Sequence, residues 1–420
     1  MTGKGFLFTL ILLLAPAAGA RAQDLDTLIE GLEADGVPSA GTVAKALLGE
    51  ESGEIRRWTH ALAGLASREQ AETSYKLTLQ ALAEILEREA PGPEPSAASL
   101  AGLELASLVG TDDDLEVTLR LGRPHEGLES SSRRFLRRQL EKTLTDVISR
   151  HPDAIYDAAE LAKTTNWIEA LVLAGAISNV KDQESIRCIT SLLGYHLELD
   201  QHLLGLLNGL ATGLEPATSA STLNTVRRYL DSSLAGERRE ASLVLGRMDD
   251  YESVPSLVAR LEDTDSGVSA AAHWALIQIT RMTMAPDPPR WNSWFEEESA
   301  WWSESGVELT RILRSSDEPS TLVPAIARCS TRRLFRRQLG PELVPLLSHP
   351  EPSVVRMTCS ALVSLRFGAS VPVIVDLLDE ADPDVRKTAH QSLLEMTGLV
   401  LPADREAWLA TFVPVRARPR

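Results

Sequence analysis

The chain has 420 residues, 59 acidic against 42 basic, a formal charge of −17 and three cysteines. So acidic a balance makes nucleic acid a poor partner, because like charge repels its phosphate backbone. Cys188, Cys329 and Cys359 are an odd set without metal-ligand spacing and give no disulfide framework. Cys329 and Cys359 would pair only if their helices touch, and buried free thiols are the plainer reading.

Residues 1–22 read as a secretory signal peptide: Lys4, an apolar run from Phe6 to Leu14, then Ala20-Arg21-Ala22 with small residues where a signal peptidase reads. The run is shorter than the ~20 residues a spanning helix needs, and no cysteine follows it to carry a lipid anchor. No later stretch is long and apolar enough to cross a membrane, so the mature chain is expected to have no transmembrane segment. The expectation is an exported bacterial protein, periplasmic or extracellular, standing near −19 once Lys4 and Arg21 are removed.

Residues 23–90 form an N-terminal helical region. Asp24 is its first cap, Gly36-Val37-Pro38 a turn, and helices run to Leu48, from Gly53 to Leu65 and from Glu69 to Glu89. The loop 91–96, Pro91-Gly92-Pro93-Glu94-Pro95-Ser96, stops the last of them, since no helix runs through alternating prolines. Over 97–229 the pattern predicts divergent helical repeats, with helices from Ser130 to Ser149, Pro152 to Lys163, Ile168 to Ile177 and His202 to Leu210. Leu161, Ile168 and Ala176, then Leu192, Leu199 and Leu207, mark two degenerate units. Asp112-Asp113-Asp114 lacks the glycine and ligand spacing of a calcium loop and reads as a solvated helix start.

From 230 to 412 the repeat is explicit, with apolar marks at steps of seven and then eight residues. Leu378, Val385 and Leu393 obey it, as do Leu347, Val354 and Leu362, and Leu261, Val268 and Leu276. Leu230, Glu237 and Leu245 keep the register with a polar centre, and so do Leu47, Glu54 and Leu62. Four residues past the centres stand Ala389, Thr358, Ala272 and Ala241, small enough for close helix packing, while Trp58 breaks the rule. Adjacent units are 31 residues apart, Leu245 to Leu276 and Leu362 to Leu393, a period of stacked helix pairs. The loops fit: Asp382-Pro383-Asp384 supplies an N-cap, a first-turn proline and an acid at the positive helix end, with Glu351-Pro352 and Asp263-Thr264-Asp265 as weaker versions. Residues 413–420 read as a basic tail.

Through Asp382-Pro383-Asp384-Val385-Arg386 and Val354-Val355-Arg356 the chain resembles HEAT repeat proteins, in particular the short units of bacterial scaffold proteins and phycobilisome lyase relatives. The resemblance covers 230–412 and, less fully, 38–66. It implies an all-α fold, a right-handed α-α superhelix of HEAT/armadillo type with a concave binding face, and it is shared by unrelated functions.

A longer module is present twice. Residues 261–295 match 378–412 at a constant offset of 117, pairing His273 with His390, Thr280 with Thr397, Asp287 with Asp404, Trp291 with Trp408 and Phe295 with Phe412. Each copy therefore adds an aromatic helix after its hairpin. Trp291, Trp294, Trp301 and Trp302 either cover a hydrophobic flank of the stack or present an aromatic contact surface to a partner.

Two arginine runs are near copies: Arg133, Arg134, Arg137 and Arg138 around Phe135-Leu136, and Arg332, Arg333, Arg336 and Arg337 around Leu334-Phe335. On a helix this spacing sets the arginines along one side with the Phe/Leu pair toward the core. They suit a partner's carboxylates or phosphates, or else pair with the chain's own acids. A fainter column, Arg56, Arg239, Arg356 and Lys387, falls two residues past repeat centres, with Glu51, Asp265, Glu351 and Asp382 as internal ladder partners.

No zinc helix, phosphate loop or nucleophile turn is present, and no cofactor or metal site is called. His196 and His202 are six residues apart and would face different sides of a helix. The composite expectation is a non-enzymatic scaffold of the cell envelope or secreted space that binds a protein or peptide along its repeats. A ligand-cradling, lyase-like enzyme or subunit and a structural envelope spacer are the alternatives.

Overall fold

Each repeat helix begins where its own loop fixes the first turn. Asp382 accepts from the backbone N–H groups of Asp384 at 2.8 Å and Val385 at 3.0 Å, Pro383 pre-sets φ, and Gly398 ends the helix in the left-handed region at φ 70°. Asp265 accepts in the same way from Gly267 at 2.9 Å and Val268 at 3.1 Å. That helix ends on Arg281 at φ 60°, the position equivalent to Gly398. Glu351 makes no side-chain cap bond, as a weaker cap should.

The computed structural model describes residues 69–88, 92–211 and 219–412, and among them there is no strand. The signal-peptide reading, the Leu47-Glu54-Leu62 unit, Arg56 and the basic tail lie outside the described residues. The chain divides after Leu210 into two compact units.

The first unit holds α1 (Glu69–Arg88), α2 (Ala97–Val109), α3 (Leu115–Leu121), α4 (Ser130–Arg150), α5 (Ala154–Thr164), α6 (Trp167–Val180), α7 (Gln183–Leu192) and α8 (Asp200–Leu210). In it α2 packs between α1 and α4, α4 between α2 and α6, and α6 against α5 and α7. Leu136, Leu140 and Leu144 of α4 are buried, as are Leu192, Leu199 and Leu207. The other degenerate unit is corrected: Ile168 is exposed. Its neighbour Glu169 points inward instead, accepting from Arg123 Nε at 2.7 Å and from the Thr165 hydroxyl. The acidic run starts a helix, but it is not wholly solvated: Asp114 is buried, accepting from the Thr111 N–H at 2.8 Å.

The second unit holds α9 (Ala220–Arg228), α10 (Ala235–Arg247), α11 (Val254–Arg260), α12 (Ser266–Thr280), α13 (Pro288–Trp301), α14 (Val307–Ser315), α15 (Pro319–Ser330), α16 (Arg336–Leu343), α17 (Pro352–Leu365), α18 (Val371–Asp376), α19 (Pro383–Thr397) and α20 (Arg405–Phe412). Here α10 packs on α12, and beyond the extra helix α13 the stack resumes as α15 on α17 on α19. Every apolar mark of the four described repeats is buried, and so is the polar centre Glu237, which accepts from the Ser232 hydroxyl. Ala241, Ala272, Thr358 and Ala389 are all fully buried, as the packing argument requires. Full burial of one such leucine contributes about 2 kcal/mol. Each unit is thus an all-α superhelical stack of helix pairs in which contacts run between near neighbours.

Candidate functional site

The duplicated module is repeated down to single hydrogen bonds. His273 Nε2 donates to the Met284 carbonyl at 2.7 Å and His390 Nε2 to the Leu401 carbonyl at 2.8 Å. Trp291 Nε1 donates to Ala285 at 2.9 Å and Trp408 Nε1 to Pro402 at 2.8 Å. Both indoles are fully buried, each folded onto its hairpin by a polar handle on its own linker. These histidines hold structure, with the Nε2 proton committed to a carbonyl.

Trp294, Trp301 and Trp302 are half-buried. Trp294 meets Trp291 edge-on at 5.9 Å, and Trp301 and Trp302 stack on buried Phe335 at 5.9 and 4.6 Å. Arg332 lies over Trp301, 4.5 Å from the ring centroid, and donates to Glu298 at 2.5 Å. The aromatic set 291–302 is therefore mainly internal packing.

The 332–337 run departs from the single helix its spacing suggests. Arg333–Phe335 is a 3-10 turn and α16 begins only at Arg336. This break turns its arginines toward the ends of three other helices. Arg333 Nε donates to Ser364 at 3.0 Å, Arg336 Nη1 to Ile279 at 2.8 Å, and Arg337 to Met248. Those carbonyls belong to the C-terminal ends of α17, α12 and α10, where the unpaired acceptors and the negative end of the helix dipole favour a cation. Arg336 is only 4% exposed and also pairs with Asp249.

The 133–138 run behaves differently. It lies within the continuous helix α4, Leu136 faces the core, and Phe135 is 48% exposed, against the expected inward pair. Arg133, Arg134, Arg137 and Arg138 are all exposed. Arg133 and Arg134 bond only nearby carbonyls, Leu128 at 3.2 Å and Ser130 at 3.3 Å, and no ion pair to a described carboxylate involves any of the four. Beside Phe135 runs a groove of about 680 Å³ between α2 and α4, lined by Leu100, Ala101, Leu103, Gln139 and Thr143.

The fainter column does not form the expected ladder. Arg356 reaches Asp384 of the next repeat at 3.5 Å, Arg239 reaches adjacent Glu240, and Lys387 is exposed. Asp265 and Asp382 cap their own helices. A closer pairing between helix pairs is one residue away, Arg238 with Asp263 at 2.7 Å, and spacing did not single it out. The three thiols are free and buried, so Cys329 and Cys359 stay apart although α15 packs on α17. Exposed Trp167, Tyr195 and Leu197 in the first unit also escaped the sequence reading, since only burial distinguishes them from core residues.

No protein-family model matches the chain, and no curated protein does. Among solved structures it is similar to an engineered protein at 17% identity and TM-score 0.32, covering 92% of this chain and 98% of that one. It is also similar to human deoxyhypusine hydroxylase in complex with glycerol at 16% identity and TM-score 0.26, over 60% of this chain and 98% of that one. A Kap121p mutant shares 10% identity at TM-score 0.31, over 85% of this chain and 44% of that one. Likenesses this distant carry no argument, and the all-α helical-repeat architecture rests on the chain's own stacked helix pairs.

Proposed function

We propose that the chain is a HEAT-type interaction scaffold without chemistry of its own, exported from a bacterial cell and holding a protein partner on its helical-repeat surface. The observation that supports this is the unequal fate of two near-identical arginine runs. One is engaged inside the second unit by helix-end carbonyls, Glu298 and Asp249. The other stands exposed on α4 beside an exposed phenylalanine, unpaired with any described carboxylate in a chain that carries 59 acidic residues. An interface rich in arginine and aromatic side chains is where binding energy concentrates, and a repeat surface presents such a patch on a rigid frame.

Crosslinked capture from the native envelope fraction tests the reading, comparing the mature chain with a variant in which Arg133, Arg134, Arg137 and Arg138 are alanine. Loss of a specific partner at unchanged helicity is the expected result; identical partners on both chains would remove the α4 surface from the proposal. Sequencing the N-terminus of the envelope protein checks export, with cleavage after Ala22 expected.

A further inference from the structure

The groove beside Phe135 is a built feature. Helix spacing puts Phe135, Arg138, Gln139 and Lys142 on one flank of α4, with Arg134 one turn before Arg138 on its outer lip. Exposed Leu100 and buried Leu103 line the facing side of α2. Three contacts fasten the two walls. Thr143 donates to Leu103 at 3.2 Å, Ser107 to Asp146 at 2.6 Å, and Arg150 to Gly110 at 2.7 Å, capping the C-terminal end of α2. A groove held this way needs little rearrangement to accept a ligand.

Charge selects the occupant. Arg133 with Arg137, and Arg134 with Arg138, are like charges four residues apart, each pair costing a few tenths of a kcal/mol on a helix. No described carboxylate forms a close ion pair with any of the four, although Glu129 and Glu141 stand four residues from Arg133 and Arg137. Across the groove the α2 side carries Glu94 and Glu104. An acidic segment is therefore drawn to the α4 rim and away from exposed Glu94, while its apolar residues meet Phe135 and Leu100. A flat anionic bilayer cannot reach a groove floor, and the chain's net charge opposes it.

We infer that the α2–α4 groove is a docking site for an acidic amphipathic segment of a partner protein, with its apolar side chains seated on Phe135 and Leu100 and its carboxylates paired to Arg134 and Arg138. This rests on the scaffold reading above and supplies the chemistry of the partner.

The probe is a fluorescein-labelled helical peptide of about 18 residues, long enough to hold helix in water, with leucines on one face flanked by glutamates. Its controls carry lysine for glutamate, or alanine for leucine. With the full mature chain, fluorescence anisotropy should show salt-sensitive binding of the acidic amphipathic peptide and none of either control. R134A/R138A and F135A should each weaken it by about tenfold or more, the range of a lost interface anchor, and F135L should restore it. Phe135 and both arginines are exposed, so circular dichroism should show these variants folded. Binding insensitive to F135A or to R134A/R138A, binding of the basic peptide, no peptide binding, or binding to phosphatidylglycerol vesicles in place of the peptide would each overturn the assignment. If the peptide fails while the four-arginine variant still loses its crosslinked partner, the docking chemistry falls and the scaffold reading stands.

Discussion

Arg336 donates to the carbonyl of Ile279 at 2.8 Å across 57 residues of chain. That bond joins the helices on either side of α13, where the extra aromatic helix interrupts the stack. Arg336→Ala removes it and leaves Asp249 without its buried cation. Breaking such a pair costs about 3 kcal/mol, which for a unit of this size lowers Tm by about 6–12 °C. Exposed Arg134→Ala should change stability by less than about 0.5 kcal/mol. Urea and thermal melts of the two variants check the contrast.

Gly246 tests how close the repeats lie. A Cβ built there would fall 2.7 Å from Ala275 Cα, so Gly246→Ala pushes α10 away from α12 and should cost about 1–3 kcal/mol. Gly205 in α8 has nothing within 4 Å of its Cβ position, and Gly205→Ala should stabilise by up to about 1 kcal/mol, the difference in helix propensity. Opposite signs from the same substitution are the expected result of denaturant titration.

The two tryptophan lids should respond alike. Trp291→Phe and Trp408→Phe each delete an indole N–H bond to a linker carbonyl and should cost about 1–2 kcal/mol. Hydrogen exchange should show lost protection over α13 in one variant and over α20 in the other.

Burial pushes the Cys359 thiol up to about 12 and those of Cys188 and Cys329 to about 11, from an ordinary 9.0. A raised pKa means that the folded state holds the proton more tightly. The stability this contributes is complete below pH 9 and lost as pH rises through 11 to 12. Stability should fall over that alkaline window, and a thiol reagent at about pH 8, below the ordinary thiol range, should label the three cysteines only after unfolding.

Much of this was legible in the sequence because burial has a period. Leu261, Val268 and Leu276, and their counterparts, are buried where seven-and-eight spacing puts them, and the 117-residue offset carried even His273 and His390 to equivalent carbonyls. What escaped depends on contacts distant in sequence or on competition within one turn. The two arginine runs look alike, yet Leu334-Phe335 closes a 3-10 turn while Phe135-Leu136 continues a helix. No local pattern announces that Arg337 will reach Met248, 89 residues away. Ile168 lost its inward place because Arg123 and Thr165 hold neighbouring Glu169 there.

Each aromatic lid is fastened to a carbonyl six residues earlier in its own module, so it closes its hairpin without help from whatever follows. Such a block holds the means of its own closure within its sequence. Copied in register, it arrives with its closure attached, and an array can lengthen by unequal exchange without passing through a form with a bare end.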